Sequence, residues 1–304
     1  MSIFMKYSLA TAIICFFSPL FSFVSKRDYA EAIFISGVES KNCFISYVEI
    51  KGQKYIVKQK KRFKHQLAVV REALAAYIAQ DLDIAPLIQI IPADTNIAGK
   101  INVMWPATLQ TVAPGNEVRS LVDSKYYALS LKQIYKNHVS LDKKGLTEKI
   151  ISQMTWHWQL PIMVGLDLFI ANVDRHCGNI FYDIQTDRFF AIDMDTTFNC
   201  DLSMLAYNKL KLMISNGKKF SKAEIRSLRE MKDTLKLLAH KHKSDDLIAK
   251  LYEFARQAKL VRGDTFCSNF VKEKLLHFEL MIASTSVSVF TLIALLDEII
   301  TKFH

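Results

Sequence analysis

Two acids and an amide in the second half of the chain have the residue types needed to hold a metal-bound phosphate. Asp174 and Asn179 lie five positions apart, and Asp193 follows within the stretch 191–195. Phosphoryl transfer needs a carboxylate that orients the attacking hydroxyl and oxygen ligands that hold Mg²⁺ against the nucleotide phosphates. Since Mg²⁺ keeps several of its waters, one Asp and one Asn are enough on the protein side. The spacing favours a phosphate-transfer site over the alternative, a polar loop with incidental acids.

A lysine and a glutamate in the first half of the chain could complete such a site. Lys58 ends the apolar run 55–57, and Glu72 follows fourteen positions later. A cation that projects from a strand can hold the α- and β-phosphates of a nucleotide, and a glutamate on a helix can fix that cation by ion pairing. The alternative is a solvated lysine within a basic run and an ordinary glutamate on a helix surface.

The residues around Lys58 and Glu72 predict a small antiparallel sheet with one helix. Apolar runs separated by polar turns predict five strands, and a 3.6-residue apolar stripe predicts the helix. The strands are expected at 32–37, 43–50, 55–58, 87–91 and 101–105, and the helix at 63–82. The last strand would lead into a connection near 104–109, where Met104 and Trp105 would contact adenine. From residue 146 onward the chain reads mainly as helix, interrupted by a hairpin at 180–192.

The motif Asp174-Arg175-His176-x-x-Asn179, followed by Asp193, resembles the catalytic and metal loops of a known superfamily. This is the phosphatidylinositol 3/4-kinase-like and HipA-like branch of the protein kinase fold. The resemblance implies that Asp174 is the catalytic acid, that Asn179 and Asp193 bind metal, and that Arg175 and His176 support the loop. It also implies a Lys58–Glu72 pair, because the strand before Lys58 is similar to the Val-Ala-Ile-Lys strand of kinases.

Two features depart from this pattern. The turn at 37–42 contains one glycine, so backbone N–H groups have little access to phosphates there. The Asp-Phe-Gly sequence of the family is replaced by Asp193-Met194-Asp195. The loss of glycine restricts the loop backbone, and Asp195 adds a carboxylate that could bind the metal or simply repel its neighbours.

The chain is basic, with 40 Lys and Arg residues against 30 Asp and Glu residues and a net charge of +10. This surplus favours an anionic partner such as a nucleotide, an inositol polyphosphate or a phosphoinositide membrane. Nucleic acid ranks low, since no basic stripe interleaved with aromatic residues is visible. Cations concentrate in the region 209–243, where a solvated helix face is the alternative to an anion site. The candidate anion-binding residues are Lys218, Lys219, Lys222, Arg226, Arg229 and Lys236.

The sparse glycine loop, the Asp-Met-Asp variant and the basic helical region together resemble a second group of proteins. These are effector kinases of intracellular bacterial pathogens that host inositol hexakisphosphate activates and that bind a phosphoinositide. The resemblance implies a secreted protein Ser/Thr kinase that uses ATP with Mg²⁺ or Mn²⁺ in the host cytoplasm or at a host membrane. A phosphoinositide kinase, a pseudokinase-like module that binds membranes, and a nucleotidyl transferase remain as alternatives, and the protein or lipid acceptor is open.

These features predict an α+β, two-lobed, protein-kinase-like fold. We expect an antiparallel-sheet N-lobe with one helix at 28–108 and a mainly helical C-lobe at 109–304, with the catalytic loop at 172–198. We expect residues 1–27 to be a hydrophobic lead-in or a signal-like segment, because 7–24 is uncharged; the alternative is a protein that is exported or anchored in a membrane through 7–24. The apolar tract 280–296 predicts a buried C-terminal helix rather than a membrane span. The five scattered cysteines indicate reduced thiols rather than a disulfide framework.

Overall fold

The computed structural model describes residues 24–40, 42–62, 65–118, 157–183, 185–262 and 265–303. Seven strands occupy its N-terminal part: β1 (Ile33–Glu39), β2 (Cys43–Ile50), β3 (Gln53–Lys60), β4 (Ile88–Ile91), β5 (Thr95–Ile97), β6 (Ile101–Val103) and β7 (Ala107–Thr111). Five of them form one sheet in the order β1-β2-β3-β7-β4. All its pairings are antiparallel, and β3 lies at its centre, with Lys58 opposite Ile45 of β2 and Thr108 of β7.

One face of this sheet is covered by a short helix, α1 (Lys26–Ala30), and by the separate β5–β6 hairpin. Successive side chains of a strand point to opposite faces, so Tyr55 and Val57 of β3 are buried on this side with Tyr29 and Ile97. Ser25 caps α1, because its hydroxyl accepts from the amide of Asp28 while the Asp28 carboxylate accepts from the amide of Ser25. Burial of these apolar side chains fixes which residues of β3 face the other way.

The opposite face of β3 carries Lys58 and Lys60 and looks toward helix α2 (Gln66–Ala79). α2 is an almost fully buried helix, with Leu74, Ala75, Ala76 and Ile78 excluded from solvent. It packs against β4 and β7 of the sheet and against a helix from the C-terminal part of the chain. The helix predicted at 63–82 is therefore present, and it bridges the two parts of the molecule.

A second, three-stranded sheet belongs to the C-terminal part. Its strands are β8 (Asn116–Glu117), β9 (Ile180–Asp183) and β10 (Arg188–Ala191), in the order β10-β9-β8. β9 and β10 are the hairpin expected at 180–192, and β8 pairs with β9 through Asn116 and Tyr182. Because β8 follows β7 directly, residues 112–115 carry the chain from the first sheet to the second.

Five helices build most of the rest of the described C-terminal part: α3 (Gln159–Phe169), α4 (Leu202–Ser215), α5 (Lys222–Lys241), α6 (Ser244–Gln257) and α7 (Asn269–Lys302). A two-stranded ribbon, β11 (Val261–Arg262) with β12 (Thr265–Phe266), precedes α7. α3 packs on α5, and α7 packs on both α4 and α5. The predicted architecture, an antiparallel-sheet lobe with one principal helix followed by a helical lobe, is confirmed.

α7 is buried along one face only. Ile282, Val289 and Leu296 are excluded from solvent or nearly so, whereas Leu280, Val287 and Phe290 are 61–69% exposed. Among the described residues it is the one helix with the length and hydropathy to cross a membrane, and 44% of its most apolar 18-residue window is buried. The buried helix expected at 280–296 is thus correct for one of its faces.

Several predicted features lie wholly or partly outside the described residues. The signal-like or anchor segment at 7–24 is described only at Val24, which is buried and whose amide donates to Gln89 Oε1 at 3.1 Å. The start of the C-lobe between 119 and 156 is likewise outside them. Within the described part, no disulfide joins Cys43, Cys177, Cys200 or Cys267.

Candidate nucleotide and metal site

Lys58 and Glu72 form an ion pair below the central strand. The Lys58 Nζ lies 2.9 Å from Glu72 Oε1, and the two side chains are 11% and 2% exposed. Burial acts to lower the pKa of Lys58, but the charges of Glu72 and Asp193 outweigh it and raise that pKa well above its ordinary value. Lys58 is therefore a permanent cation, and Glu72 holds it in one place.

Gln110 of β7 holds Glu72 and is itself bonded to Thr108, and no local sequence pattern indicates either residue. Gln110 Nε2 donates to Glu72 Oε1 at 3.0 Å and to Thr108 Oγ1 at 2.9 Å. Both are buried, and they lie on the same face of the sheet as Lys58 because Thr108 is its direct partner across β3 and β7. Burial raises the pKa of Glu72, although the charge of Lys58 opposes this.

Asp193 approaches the same lysine from the other lobe. Its Oδ1 accepts a hydrogen bond from Lys58 Nζ, and its side chain keeps 41% of its surface exposed. Burial acts to raise the pKa of Asp193, but the charge of Lys58 outweighs it and lowers that pKa. Asp193 is also left-handed, at φ +52°, a conformation that Asp and Asn tolerate better than most residues. The result is an ionised carboxylate that faces both a cation and solvent.

Asp195 lies deeper than Asp193 and has a different partner. Its Oδ2 accepts from Lys60 Nζ and lies 3.7 Å from Lys58 Nζ, while its side chain is 15% exposed. Lys60 itself is 5% exposed. The structure therefore places this carboxylate between two lysines of β3.

The catalytic-loop residues lie on the segment that joins α3 to β9. Asp174 is exposed, and its amide donates to Asn172 Oδ1 at 3.2 Å. Asn179 is buried, and its Nδ2 donates to the carbonyl of Asp174 at 2.8 Å. This bond ties the Asn179 side chain to the loop backbone, while the Asp174 side chain is exposed to solvent.

Arg175 connects the catalytic loop to the segment that carries Asp193. Its Nη1 donates to the carbonyls of Asn179 and Ile192, at 2.8 and 2.9 Å. Its Nη2 lies 2.9 Å from Oδ1 of Asp167, a buried carboxylate on α3 that the sequence analysis missed. The amide of Ile192 also donates to the carbonyl of Asn179, at 3.1 Å. A backbone hydrogen bond thus joins Asn179 to Ile192, the residue before Asp193. The structure therefore brings the segments that carry these two predicted metal ligands together.

His176 has a local role in the same loop. It is the N-cap of a single 3₁₀ turn, Cys177–Asn179, and its Nδ1 accepts from the amide of Gly178 at 3.0 Å. The turn ends at Asn179, so His176 fixes the backbone that presents the Asn179 side chain.

Met104 and Trp105 do not lie where the sequence predicted. They follow β6, which pairs only with β5 and not with the main sheet. Their amides lie 2.9 and 3.2 Å from the side-chain amide of Gln59, which the pleat turns to the face opposite Lys58. The crossover between the lobes comes later, at 112–115, and the expected lobe boundary at 108 falls inside β7. The prediction that these two residues contact adenine is corrected on this geometry.

The six candidate anion-binding residues divide into two groups. Lys218 pairs with Glu224 at 2.9 Å and Lys236 with Asp297 at 2.9 Å. Four others have no carboxylate within ion-pairing distance among the described residues: Lys219, Lys222, Arg226 and Arg229. Lys222, Arg226 and Arg229 follow one another at helical spacing and share one face of α5.

The donor set around Asp193 suits a hard divalent cation. Carboxylate and amide oxygens are the ligands that Mg²⁺ and Mn²⁺ prefer, and Mg²⁺ completes its shell with waters and substrate phosphates. No group of three or more His, Cys, Asp or Glu side chains converges in the part of the chain that the structure describes. Asp193 and Asn179 are therefore the residues that would hold such an ion together with a nucleotide.

No protein-family model matches the chain, and neither does any curated protein. Among solved structures, the proinflammatory kinase CtkA of Helicobacter pylori aligns with a TM-score of 0.51 and 13% identity, over 89% of this chain and 97% of that one. HipA, from the Shewanella oneidensis MR-1 toxin–antitoxin system, aligns with a TM-score of 0.43 and 11% identity, over 93% of this chain and 68% of that one. An aminoglycoside phosphotransferase from Alicyclobacillus acidocaldarius gives 0.31 and 11%, over 94% and 98%. The likeness to the first of these shows that the chain has a kinase-like fold.

Proposed function

We propose that this protein is an ATP- and divalent-metal-dependent phosphotransferase. One observation carries the proposal: Lys58, on the central strand of one lobe, lies between Glu72 of its own lobe and Asp193 of the other. A metal-bound triphosphate needs a fixed cation for its phosphates and oxygen ligands for its metal. Lys58 is such a cation, and Asp193 and Asn179 offer such oxygens. The kinase-like fold supports this reading.

The residues divide the work of phosphoryl transfer between them. Lys58 would bind the α- and β-phosphates, and Asp193 and Asn179 would hold the metal, which supplies positive charge to the phosphate oxygens. Asp174 would accept the proton of the acceptor hydroxyl while the oxygen of that hydroxyl bonds to the γ-phosphorus. The bond from that phosphorus to the β–γ bridging oxygen breaks, and ADP leaves. Most of the catalysis on this scheme is positioning and charge stabilisation.

The nucleotide base would lie against the crossover at 112–115. In the sheet, β7 runs beside the strand that bears Lys58 and leads directly into this segment. An adenine that reaches from Lys58 toward the crossover would meet backbone N–H and C=O groups there. This placement replaces the one at Met104 and Trp105.

The finer assignment is a protein Ser/Thr kinase of the phosphatidylinositol 3/4-kinase-like and HipA-like branch, which acts as a secreted effector in a host cytoplasm or at a host membrane. It rests on the motif from Asp174 to Asn179 and on the resemblance to polyphosphate-activated effector kinases. Inositol polyphosphate or a phosphoinositide would bind through Lys222, Arg226 and Arg229. Clustered cations without acidic partners repel one another, and an anion that neutralises them stabilises the lobe that carries them.

Transfer of labelled phosphate tests the proposed chemistry. The purified chain is incubated with γ-labelled ATP, Mg²⁺ or Mn²⁺ and a mixture of protein and phosphoinositide acceptors, with and without inositol hexakisphosphate. We expect labelling by the wild type and its loss in Asp193→Ala, with Asp233→Ala, an exposed acid on α5, as the matched control. No transfer by the wild type under any condition would contradict the proposal. Label from α-labelled ATP instead would indicate AMP transfer.

The anion site is tested separately by charge neutralisation. The triple variant Lys222→Gln, Arg226→Gln, Arg229→Gln should lose any rise in Tm that inositol hexakisphosphate produces in the wild type. A control with the same change in net charge replaces the exposed residues Lys26, Lys54 and Lys272 by Gln and should keep that rise. Equal responses of the two variants would remove α5 as the binding face.

A further inference from the structure

The face of β3 that looks into the cleft carries two lysines rather than one, Lys60 buried and Lys58 nearly so. Lys58 and Lys60 are two positions apart, so the pleat turns both toward α2 and the other lobe. Lys60 is 5% exposed. A lysine is almost never fully buried unless it is paired, so its partner is expected to be important for the fold.

That partner is Asp195, 135 positions away in the sequence. The Lys60 ammonium donates to Asp195 Oδ2, and Lys58 Nζ is 3.7 Å from the same oxygen. Burial acts to lower the pKa of Lys60, but the charges of Glu72 and Asp195 outweigh it and raise that pKa. The pair therefore joins two opposite charges across the gap between the lobes.

Acids outnumber lysines by one in this site with both members of the pair present, and equally with neither; the loss of one member alone changes that difference. Three carboxylates, Glu72, Asp193 and Asp195, surround the two lysines. Without Lys60, the three acids would share one cation, and their like charges would repel one another in a partly buried site. Without Asp195, Lys60 would be a buried cation with no close anion. Each residue thus explains the presence of the other.

Asp195 stands two positions after Asp193 on the same loop, and its geometry differs from that of a metal ligand. Its side chain is 15% exposed against 41% for Asp193, and it is already engaged by Lys60. The Asp193 backbone is left-handed, a conformation that persists only when its surroundings fix it. Arg175 fixes this segment on one side, through the carbonyl of Ile192, and the Lys60–Asp195 pair fixes it on the other.

We propose that Lys60 and Asp195 are a positioning pair that fastens the metal loop to β3, so that Asp193 is held toward the nucleotide while Asp195 stays outside the metal shell. The effect on turnover rests on the proposed function. The fastening itself does not, because it consists of an ion pair between two side chains of this chain. The metal loop lacks the glycine of the family pattern. The Lys60–Asp195 pair would hold this less flexible loop in a fixed position.

A double-mutant cycle in the absence of nucleotide tests the fastening. The variants are Lys60→Met, Asp195→Asn and the double variant, studied by urea unfolding. We expect each single variant to lower the folding equilibrium constant at least tenfold and the double variant to lower it less than Lys60→Met alone. The control cycle uses Lys61→Met and Glu39→Gln, an exposed pair that starts at the next residue along the chain, and should show no coupling beyond threefold.

The outcomes show whether Lys60 and Asp195 act as a coupled pair or independently. If Lys60→Met fails to fold while the double variant folds, the fastening is supported. Additive single effects, or a double variant that fails to fold although Asp195→Asn folds, would overturn it. These results stand even if the wild type transfers no phosphate.

A second measurement separates positioning from metal binding in the active protein. For Asp195→Asn we expect kcat to fall at least tenfold while the half-saturating Mg²⁺ concentration changes less than threefold, and Lys60→Arg to retain most of the activity that Lys60→Met loses. A rise in half-saturating Mg²⁺ of tenfold or more in Asp195→Asn, with no recovery in the double variant, would make Asp195 a metal ligand and overturn the proposal.

Discussion

The guanidinium of Arg175 lies 2.9 Å from the carbonyl oxygen of Ile192, the residue before Asp193. The same nitrogen bonds the carbonyl of Asn179 at 2.8 Å. One side chain therefore sets the distance between the two segments that would hold the metal. Since Arg175 also pairs with buried Asp167, this distance is fixed from α3, the hydrophobic core helix of the second lobe.

Arg175→Met should cost about 3–5 kcal/mol of unfolding free energy, the usual effect of removing one partner of a buried ion pair. Asp167 would remain buried, and among the described residues the one other donor to its carboxylate is Asn172 Nδ2, at 3.0 Å. Urea unfolding measures this cost. The control is Arg188→Met, which removes a more exposed pair with Asp83 and should cost about 1 kcal/mol or less. Equal costs for the two variants would show that the Arg175 contacts do not stabilise the fold.

Glu72→Gln should separate activity from stability. The glutamine keeps the shape of the side chain, and Lys58 keeps Asp193 as a charged partner, so we expect the free energy of unfolding to fall by less than about 3–5 kcal/mol, the cost of an unpaired buried charge. The negative charge that draws Lys58 toward α2 would be lost. Labelled-phosphate transfer should therefore fall at least tenfold, about 1.4 kcal/mol in the barrier. A variant with normal turnover would show that the pair is not needed for catalysis.

The contrast between Lys58–Glu72 and Lys60–Asp195 shows what sequence reasoning could reach. The first pair is implied by the resemblance to the kinase Lys–Glu pair, since a strand that ends in lysine and a helical glutamate follow each other within one lobe. The second joins residues 135 positions apart, and no local pattern relates them. Gln110 and Asp167 were missed for the same reason, since their roles come from tertiary contacts.

The position of the crossover shows a different limit. Residues 101–105 form the more obvious apolar run, but β6 pairs with β5 in a separate hairpin. The strand that enters the sheet next to β3 is Ala107–Thr111, which contains two threonines and a glutamine. Thr108 and Gln110 can be buried because Gln110 donates to both Thr108 and Glu72. A prediction from hydrophobicity places such a strand in a loop.

Gly115→Ala should disturb the crossover between the lobes. Gly115 has φ +84°, and a Cβ there would lie 2.2 Å from the carbonyl oxygen of Tyr182. Strain at such a φ costs about 1–3 kcal/mol, and the backbone of β9 would also have to move. Gly52→Ala is the matched control, since Gly52 has φ +79° with nothing within 4 Å of its Cβ position. Urea unfolding of both variants should show a larger loss for Gly115→Ala; equal losses would mean that the close approach to Tyr182 is not important.

Asp297 should make the junction of α5 and α7 sensitive to acid. Its Oδ1 and Oδ2 lie 2.8 Å from Lys232 Nζ and 2.9 Å from Lys236 Nζ, and hydrogen bonds from these two lysines lower its pKa. A carboxylate with a lowered folded-state pKa contributes stability above its unfolded value of about 3.9, and loses it as the pH falls through the folded-state pKa. Because Asp297 is 45% exposed, solvent screening limits the contribution to about 1 kcal/mol or less.

The variant Asp297→Asn isolates this contribution. At pH 7 it should unfold at a lower urea concentration than the wild type, because Lys232, whose side chain is 13% exposed, loses the nearer of its two carboxylate partners. The difference between the two proteins should shrink as the pH falls below about 4, because the unfolded wild-type chain then binds a proton at Asp297, and it should vanish once the folded carboxylate is also protonated. It should shrink as well in 1 M salt, where charges are screened within about 3 Å. A difference that is the same at pH 7 and pH 3 would mean that Asp297 acts through its shape and hydrogen bonds rather than its charge.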